Sequence, residues 1–114
     1  MDARVRDILE RVDRHWRSQL RVRDLAASVN LGPSRLEHLV KLEAKICLRD
    51  LIRRRRIDEA ARLLVTTHKR ISEIAYYVGF TDISNFNHAF RRERGLSPGD
   101  FRETSRAGEG DAAE

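Results

Sequence analysis

Apolar residues recur along this chain at helical spacing, with polar and charged residues between them. Val5, Ile8, Leu9, Val12 and Trp16 repeat at i, i+3, i+4, i+7 and i+11 with charged residues between them, predicting a helix over residues 3 to 17 whose buried face includes Trp16. Val22, Leu25, Ala26 and Val29 predict a second, short helix, which opens near Arg21 without a good N-cap residue and ends at Asn30. Asparagine is the best substitute for glycine where the backbone turns left-handed. Pro33 suits the first position of a third helix, with Leu36, Leu39 and Val40 as its apolar stripe. From Leu48 to about Val65 neither glycine nor proline intervenes, and Leu48, Leu51, Ile52, Ile57, Ala60, Leu63 and Leu64 make a broad apolar surface. A single helix of that length spans roughly 27 Å. Thr66 to Arg70 is a polar loop.

Ile71, Ile74, Ala75 and Val78 then predict a short helix running into Gly79, which can take the positive φ of a tight turn. The next helix starts near Asp82, whose charge suits a first turn, and carries Phe86, Ala89 and Phe90 on one face. Gly95 ends it, and Ser97-Pro98 provides an N-cap and a first-turn proline for a last short helix anchored by Phe101. The pattern predicts an all-α domain of about seven helices, containing two short helix pairs around tight turns. Leu25-Ala26-x-x-Val29-Asn30-Leu31 is echoed by Ile74-Ala75-x-x-Val78-Gly79-Phe80 at an offset of 49, and Leu36, Leu39 and Val40 by Phe86, Ala89 and Phe90 at an offset of 50. The chain therefore holds an internal repeat.

From Ile71 to Arg102 the residues read IxxIAxxVGFxDxSxFxxxFxxxxGxxPxxFR, which resembles the C-terminal signature of AraC/XylS-type transcription regulators. The resemblance covers roughly residues 5 to 102 and implies two helix-turn-helix units, at about 22 to 45 and 71 to 94, joined by one long helix at about 48 to 65. It implies sequence-specific binding of double-stranded DNA in transcription regulation, with two recognition helices in adjacent major grooves, whose repeat is about 34 to 36 Å. The family positions for base-edge contacts correspond to Ser34, Arg35, Glu37 and His38 on one helix and Ser84, Asn85, Asn87 and His88 on the other. Asparagine can read adenine, arginine or histidine can bond guanine, and Glu37 can accept from cytosine N4 or else pair with Lys41. Lys41, Arg54, Arg91 and Arg92 are placed to neutralise phosphates. In the first unit Val40 stands where the family has phenylalanine, Lys45 where it has glycine, Leu51 where it has tyrosine and Gly32 where it has a capping serine. These departures predict a softer or less stringent first unit. Most members of the family carry a separate sensing domain, so this chain is expected to be either a stand-alone regulator or the C-terminal part of a larger one. RNA polymerase is a second partner that the resemblance suggests. The rival readings are a helical protein-interaction module and a reader that uses only the second unit.

Charge sharpens this picture. The 114 residues carry a net charge of +5, but Glu103, Glu109, Asp111 and Glu114 against Arg106 leave −3 on residues 103 to 114 and +8 on residues 1 to 102. A basic body suits a polyanion, and residues 103 to 114 read as a disordered acidic tail. Arg53 to Arg56 are four consecutive residues and so point nearly all round a helix. One or two can meet phosphate, the others are expected to pair with Asp50, Asp58 and Glu59 or to lie in solvent, and Arg56 matches a family arginine expected to be partly structural. Cys47, the only cysteine, permits no intrachain disulfide and suits a reducing compartment, the cytoplasm being the simplest. No stretch is apolar enough for a signal peptide or membrane span. His15, His38, His68 and His88 are dispersed, without a second His or Cys one helical turn away, and no phosphate loop or serine elbow occurs. The expectation is a protein with no cofactor and no metal that is not an enzyme.

Overall fold

The computed structural model describes the main chain from Met1 to Ala113 and side chains through Ala107. Among the described residues there are seven helices and no strands: α1 (Ala3–His15), α2 (Val22–Ser28), α3 (Pro33–Ala44), α4 (Leu48–Thr66), α5 (Ile71–Tyr77), α6 (Ile83–Arg94) and α7 (Pro98–Ala113). They divide into two units, Met1–Arg55 and Arg56–Glu114, so Leu48 to Arg55 of α4 belong to the first and Arg56 to Thr66 to the second.

In the first unit α1 and α2 pack on α3. The core consists of Val5, Ile8, Val12, Leu25, Ala26, Leu36, Val40, Leu48 and Ile52. Asp2 caps α1, its carboxylate accepting from the Arg4 amide at 2.8 Å, and the Asp2 amide donates to both Glu43 carboxylate oxygens at 2.9 and 3.1 Å. The start of α1 is thereby tied to the end of α3. α1 stops at His15, two residues earlier than its periodicity predicts, and Trp16 is its C-cap, partly buried against the core.

In the second unit α5 and α7 pack on α6. An aromatic row runs through it: Phe80 lies 5.3 Å from Phe86 between ring centres, Phe86 5.9 Å from Phe90, and Phe90 5.2 Å from Phe101. Phe80–Phe86 and Phe90–Phe101 meet edge to face, and such pairs add about 0.5–1.5 kcal/mol each to ordinary burial. At the corresponding positions the first unit has Leu31, Leu36, Val40 and Leu51, so the repeat keeps its pattern while changing its filling.

Both turns close in the same way. The Leu31 amide donates to the Ala26 carbonyl at 2.9 Å across Asn30 (φ 59°), and the Phe80 amide to the Ala75 carbonyl at 3.0 Å across Gly79 (φ 109°). These are six-to-one closures around one left-handed residue. The repeat extends to the ends of α3 and α6, where Lys45 (φ 63°) donates its amide to the Lys41 carbonyl at 3.0 Å and Gly95 (φ 78°) to that of Arg91 at 2.8 Å.

α7 runs on to Ala113, across residues expected to form a disordered acidic tail; Glu114 lies outside the described residues. Arg102 Nε donates to the Leu64 carbonyl at 2.9 Å, and Arg106 to the Thr67 carbonyl at 2.7 Å. These bonds hold the middle of α7 against the end of α4 and carry the helix past its apolar anchor. They also satisfy carbonyls that a helix terminus otherwise leaves open.

Candidate nucleic-acid interface

Two helices of equivalent position in the repeat, α3 and α6, each bury one face and expose the other. On α6 the buried residues are Phe86, Ala89 and Phe90, and Ser84, Asn85, Asn87, His88, Arg91 and Arg92 are all exposed. The Asp82 carboxylate accepts from the Asn85 amide at 3.1 Å, making it the N-cap rather than a first-turn residue, and the left-handed Gly95 closes the other end. A polar face held between two good caps has little freedom to shift. Ser84, Asn87, His88 and Arg91 line one hollow together with Ile71, Ser97, Pro98 and Gly99. Asn85 and Arg92 lie on the same helix outside that lining. Sequence reasoning used Ser97 only as a cap and did not bring it to this face; the contact of α6 with α7 does so.

On α3, Ser34, Arg35, His38 and Lys41 are exposed. Its N-cap is Gly32, with no side-chain cap bond, and its C-cap Lys45 holds a left-handed conformation that costs a residue with a Cβ about 1–2 kcal/mol. α2, opening at Arg21, also lacks a side-chain cap. Glu37 differs from its neighbours. It is half-buried, and its carboxylate accepts from the backbone amide of Leu48, the first residue of α4, at 3.3 Å. Neither cytosine nor Lys41 is needed to explain a carboxylate in that place.

The four consecutive arginines of α4, Arg53 to Arg56, disperse as helical geometry requires, and only some of their partners are those expected. Arg53 does pair with Asp50 at 2.6 Å. Arg55 instead pairs with Asp13 of α1, Asp58 is taken by Arg94 at 2.6 Å, and Glu59 by Arg62. The Arg56 guanidinium stands over the Phe80 ring, 5.8 Å from its centre, and burial lowers its pKa from the ordinary arginine value. It belongs to the packing of the second turn. Arg54 is the member of the run that combines exposure with a place on the phosphate list.

Among the described residues no group of three or more His, Cys, Asp or Glu side chains is placed to hold a metal ion, and no helix is long and apolar enough to cross a membrane. What the fold presents is two exposed polar helix faces bordered by cations, the layout of a double helix-turn-helix protein. Residues 25–104 match the family model described as a helix-turn-helix domain. The chain belongs to the AraC-type helix-turn-helix family. It is 36% identical over 103 residues to the arabinose operon regulatory protein of Salmonella typhimurium, an alignment covering 90% of this chain and 37% of that protein. The C-terminal domain of AraT, a response regulator from Geobacillus stearothermophilus, superposes with a TM-score of 0.85 at 31% identity, covering 90% of this chain and 86% of that one. The DNA-binding domain of AdpA, a global transcriptional factor solved in complex with a target DNA, shares the fold with a TM-score of 0.86 at 24% identity over 93% of this chain and 96% of that one. The chain spans 37% and 35% of the lengths of the first two curated relatives it matches.

Proposed function

We propose that this chain binds duplex DNA sequence-specifically in transcription regulation, with α3 and α6 as recognition helices in adjacent major grooves. The observation that carries the reading is α6, where four exposed polar residues, Ser84, Asn85, Asn87 and His88, stand on a helix capped at both ends and bordered by Arg91 and Arg92. Major grooves display the donors and acceptors that asparagine, histidine and arginine complement, and phosphates take the cations. On α3, Ser34, Arg35 and His38 have the base-reading role, with Lys41 and Arg54 on phosphate. AdpA, of the same fold, supports the reading through its solved complex with a target DNA. By the same reading the chain acts in the cytoplasm and is not an enzyme. RNA polymerase at the promoter, and a sensing domain in a longer native chain, complete the proposal.

The test is selection of bound duplexes from a random pool by residues 1 to 114. Two enriched blocks about 10 base pairs apart are expected. No enrichment at any salt concentration would sink the DNA reading in favour of a protein-interaction module. A second reading, in which α6 alone reads bases, draws support from the uncapped start of α3 and the left-handed Lys45 at its end. A single short block would establish it.

A further inference from the structure

Glu37 lies in α3, yet the group it serves is in α4. Leu48 opens that helix and donates its amide to Glu37 Oε2 at 3.3 Å, while Cys47 occupies the cap position, its carbonyl accepting from the Leu51 amide at 3.0 Å. Fifty residues further on the equivalent of Cys47 is Ser97, whose carbonyl accepts from the Phe101 amide at 2.9 Å. The Ser97 hydroxyl accepts from the Asp100 amide at 3.1 Å, so α7 is capped by its own preceding residue. The amide equivalent to that of Leu48 is absent there, because Pro98 has no N–H. At the start of α4 the acceptor comes from Glu37, whose negative charge also suits the positive end of a helix. The equivalent of Glu37 in the second unit is Asn87, exposed on the polar face of α6.

We infer that Glu37 is a positioning residue, the acceptor that α3 lends to the first amide of α4, a donor that Pro98 lacks in the second unit, and that position 37 is thereby withdrawn from base reading. It follows that the first unit reads with Ser34, Arg35 and His38, one position fewer than the second. The capping half stands on geometry alone; the reading half rests on the DNA-binding proposal.

The test compares E37A, E37Q, C47S and the E37A C47S double variant in the full chain, by amide exchange of the first unit and by duplex selection. E37A is expected to raise the unfolding constant of that unit roughly five-fold, the usual effect of a lost cap. C47S gives α4 a hydroxyl placed to accept from the Asp50 amide, as Ser97 does from Asp100, so it serves a different donor and its effect adds to that of E37A instead of cancelling it. E37Q keeps an acceptor oxygen, loses less than E37A, and selects the wild-type motif at every base. An E37A variant as stable in its first unit as the parent chain, or a changed preference at one base with E37Q, overturns the proposal. Amide exchange needs no DNA, so a chain that bound no duplex would defeat the proposed function while the capping claim was still decided.

Discussion

Replacing Lys45 with glycine is expected to stabilise the first unit. Lys45 closes α3 at φ 63° and ψ 17°, where its Cβ is crowded by the following carbonyl. Gly95, at the equivalent place after α6, does the same task at φ 78° with no Cβ to crowd. Relief of the crowding is worth about 1–2 kcal/mol, and the extra freedom of glycine in the unfolded chain takes back about 0.5–1 kcal/mol. The lysine charge near a helix C-terminus is itself favourable by a few tenths of a kcal/mol. A net gain of roughly 0.5–1 kcal/mol follows, or about 2–8 °C in melting temperature for a unit of this size. Because the two units need not unfold together, the assay should be residue-resolved amide exchange at Leu36 and Val40 beside global melting. Lys45→Ala separates the causes, since it removes the charge and keeps the Cβ; it should give no gain. The converse, Gly95→Lys, should cost about 1 kcal/mol from backbone strain alone, as a Cβ there meets nothing within 4 Å. If Lys45→Gly were neutral, or Lys45→Ala gained as much, backbone strain would not be the weakness of this unit.

Two further outcomes follow from the interface and from the start of α1. Arg91→Ala and Lys41→Ala should each lower affinity for all sequences alike and reduce the salt slope by about one, whereas Asn87→Ala should lose about 1–3 kcal/mol on one base only; a sequence-specific loss from Arg91→Ala would refute the division of roles. The Asp2 carboxyl is held below its ordinary value of 3.8, first by the Arg4 side-chain hydrogen bond and then by the Arg4 amide. With the folded value depressed, its contribution is present above the unfolded value and is lost as pH falls through the folded one. Amide exchange in the first turn of α1 should therefore quicken below about pH 4, and Asp2→Asn should flatten that dependence; an unchanged profile in the variant would assign the acid sensitivity to another group.

Much of this fold was legible because its elements end on local signals. Asn30 and Gly79 mark both turns, Gly32 and Arg21 mark helix starts without side-chain caps, and Asp82 and Gly95 bracket α6, all within a few residues of the feature they control. What the sequence hides is pairing over distance. Arg55 finds Asp13 and Arg56 finds Phe80, choices that no local charge pattern reveals. α7 outlasts its apolar pattern because Arg102 and Arg106 bind carbonyls at Leu64 and Thr67. For the candidate site, the polar faces of α3 and α6 followed from periodicity, and the separate behaviour of Glu37 did not. One sign of it was present, Leu48 with its amide where the repeat has a proline at 98, but only the fold shows which carboxylate reaches that helix start.

The family match covers residues 25–104, yet α1 lies before it and Arg106 just after it. Val5, Ile8 and Val12 are fully buried in the core of the first unit, and burying three such side chains is worth on the order of 5 kcal/mol, as much as the entire margin of many small domains. A fragment trimmed to the matched segment would keep every residue proposed to touch DNA and discard much of what keeps α3 folded. It would also drop the arginine that holds the Thr67 carbonyl at 2.7 Å. For this protein the edges of the autonomous folding piece are set by packing, and anyone cutting it for crystals, libraries or grafted chimaeras should start before Asp2 and stop after Arg106.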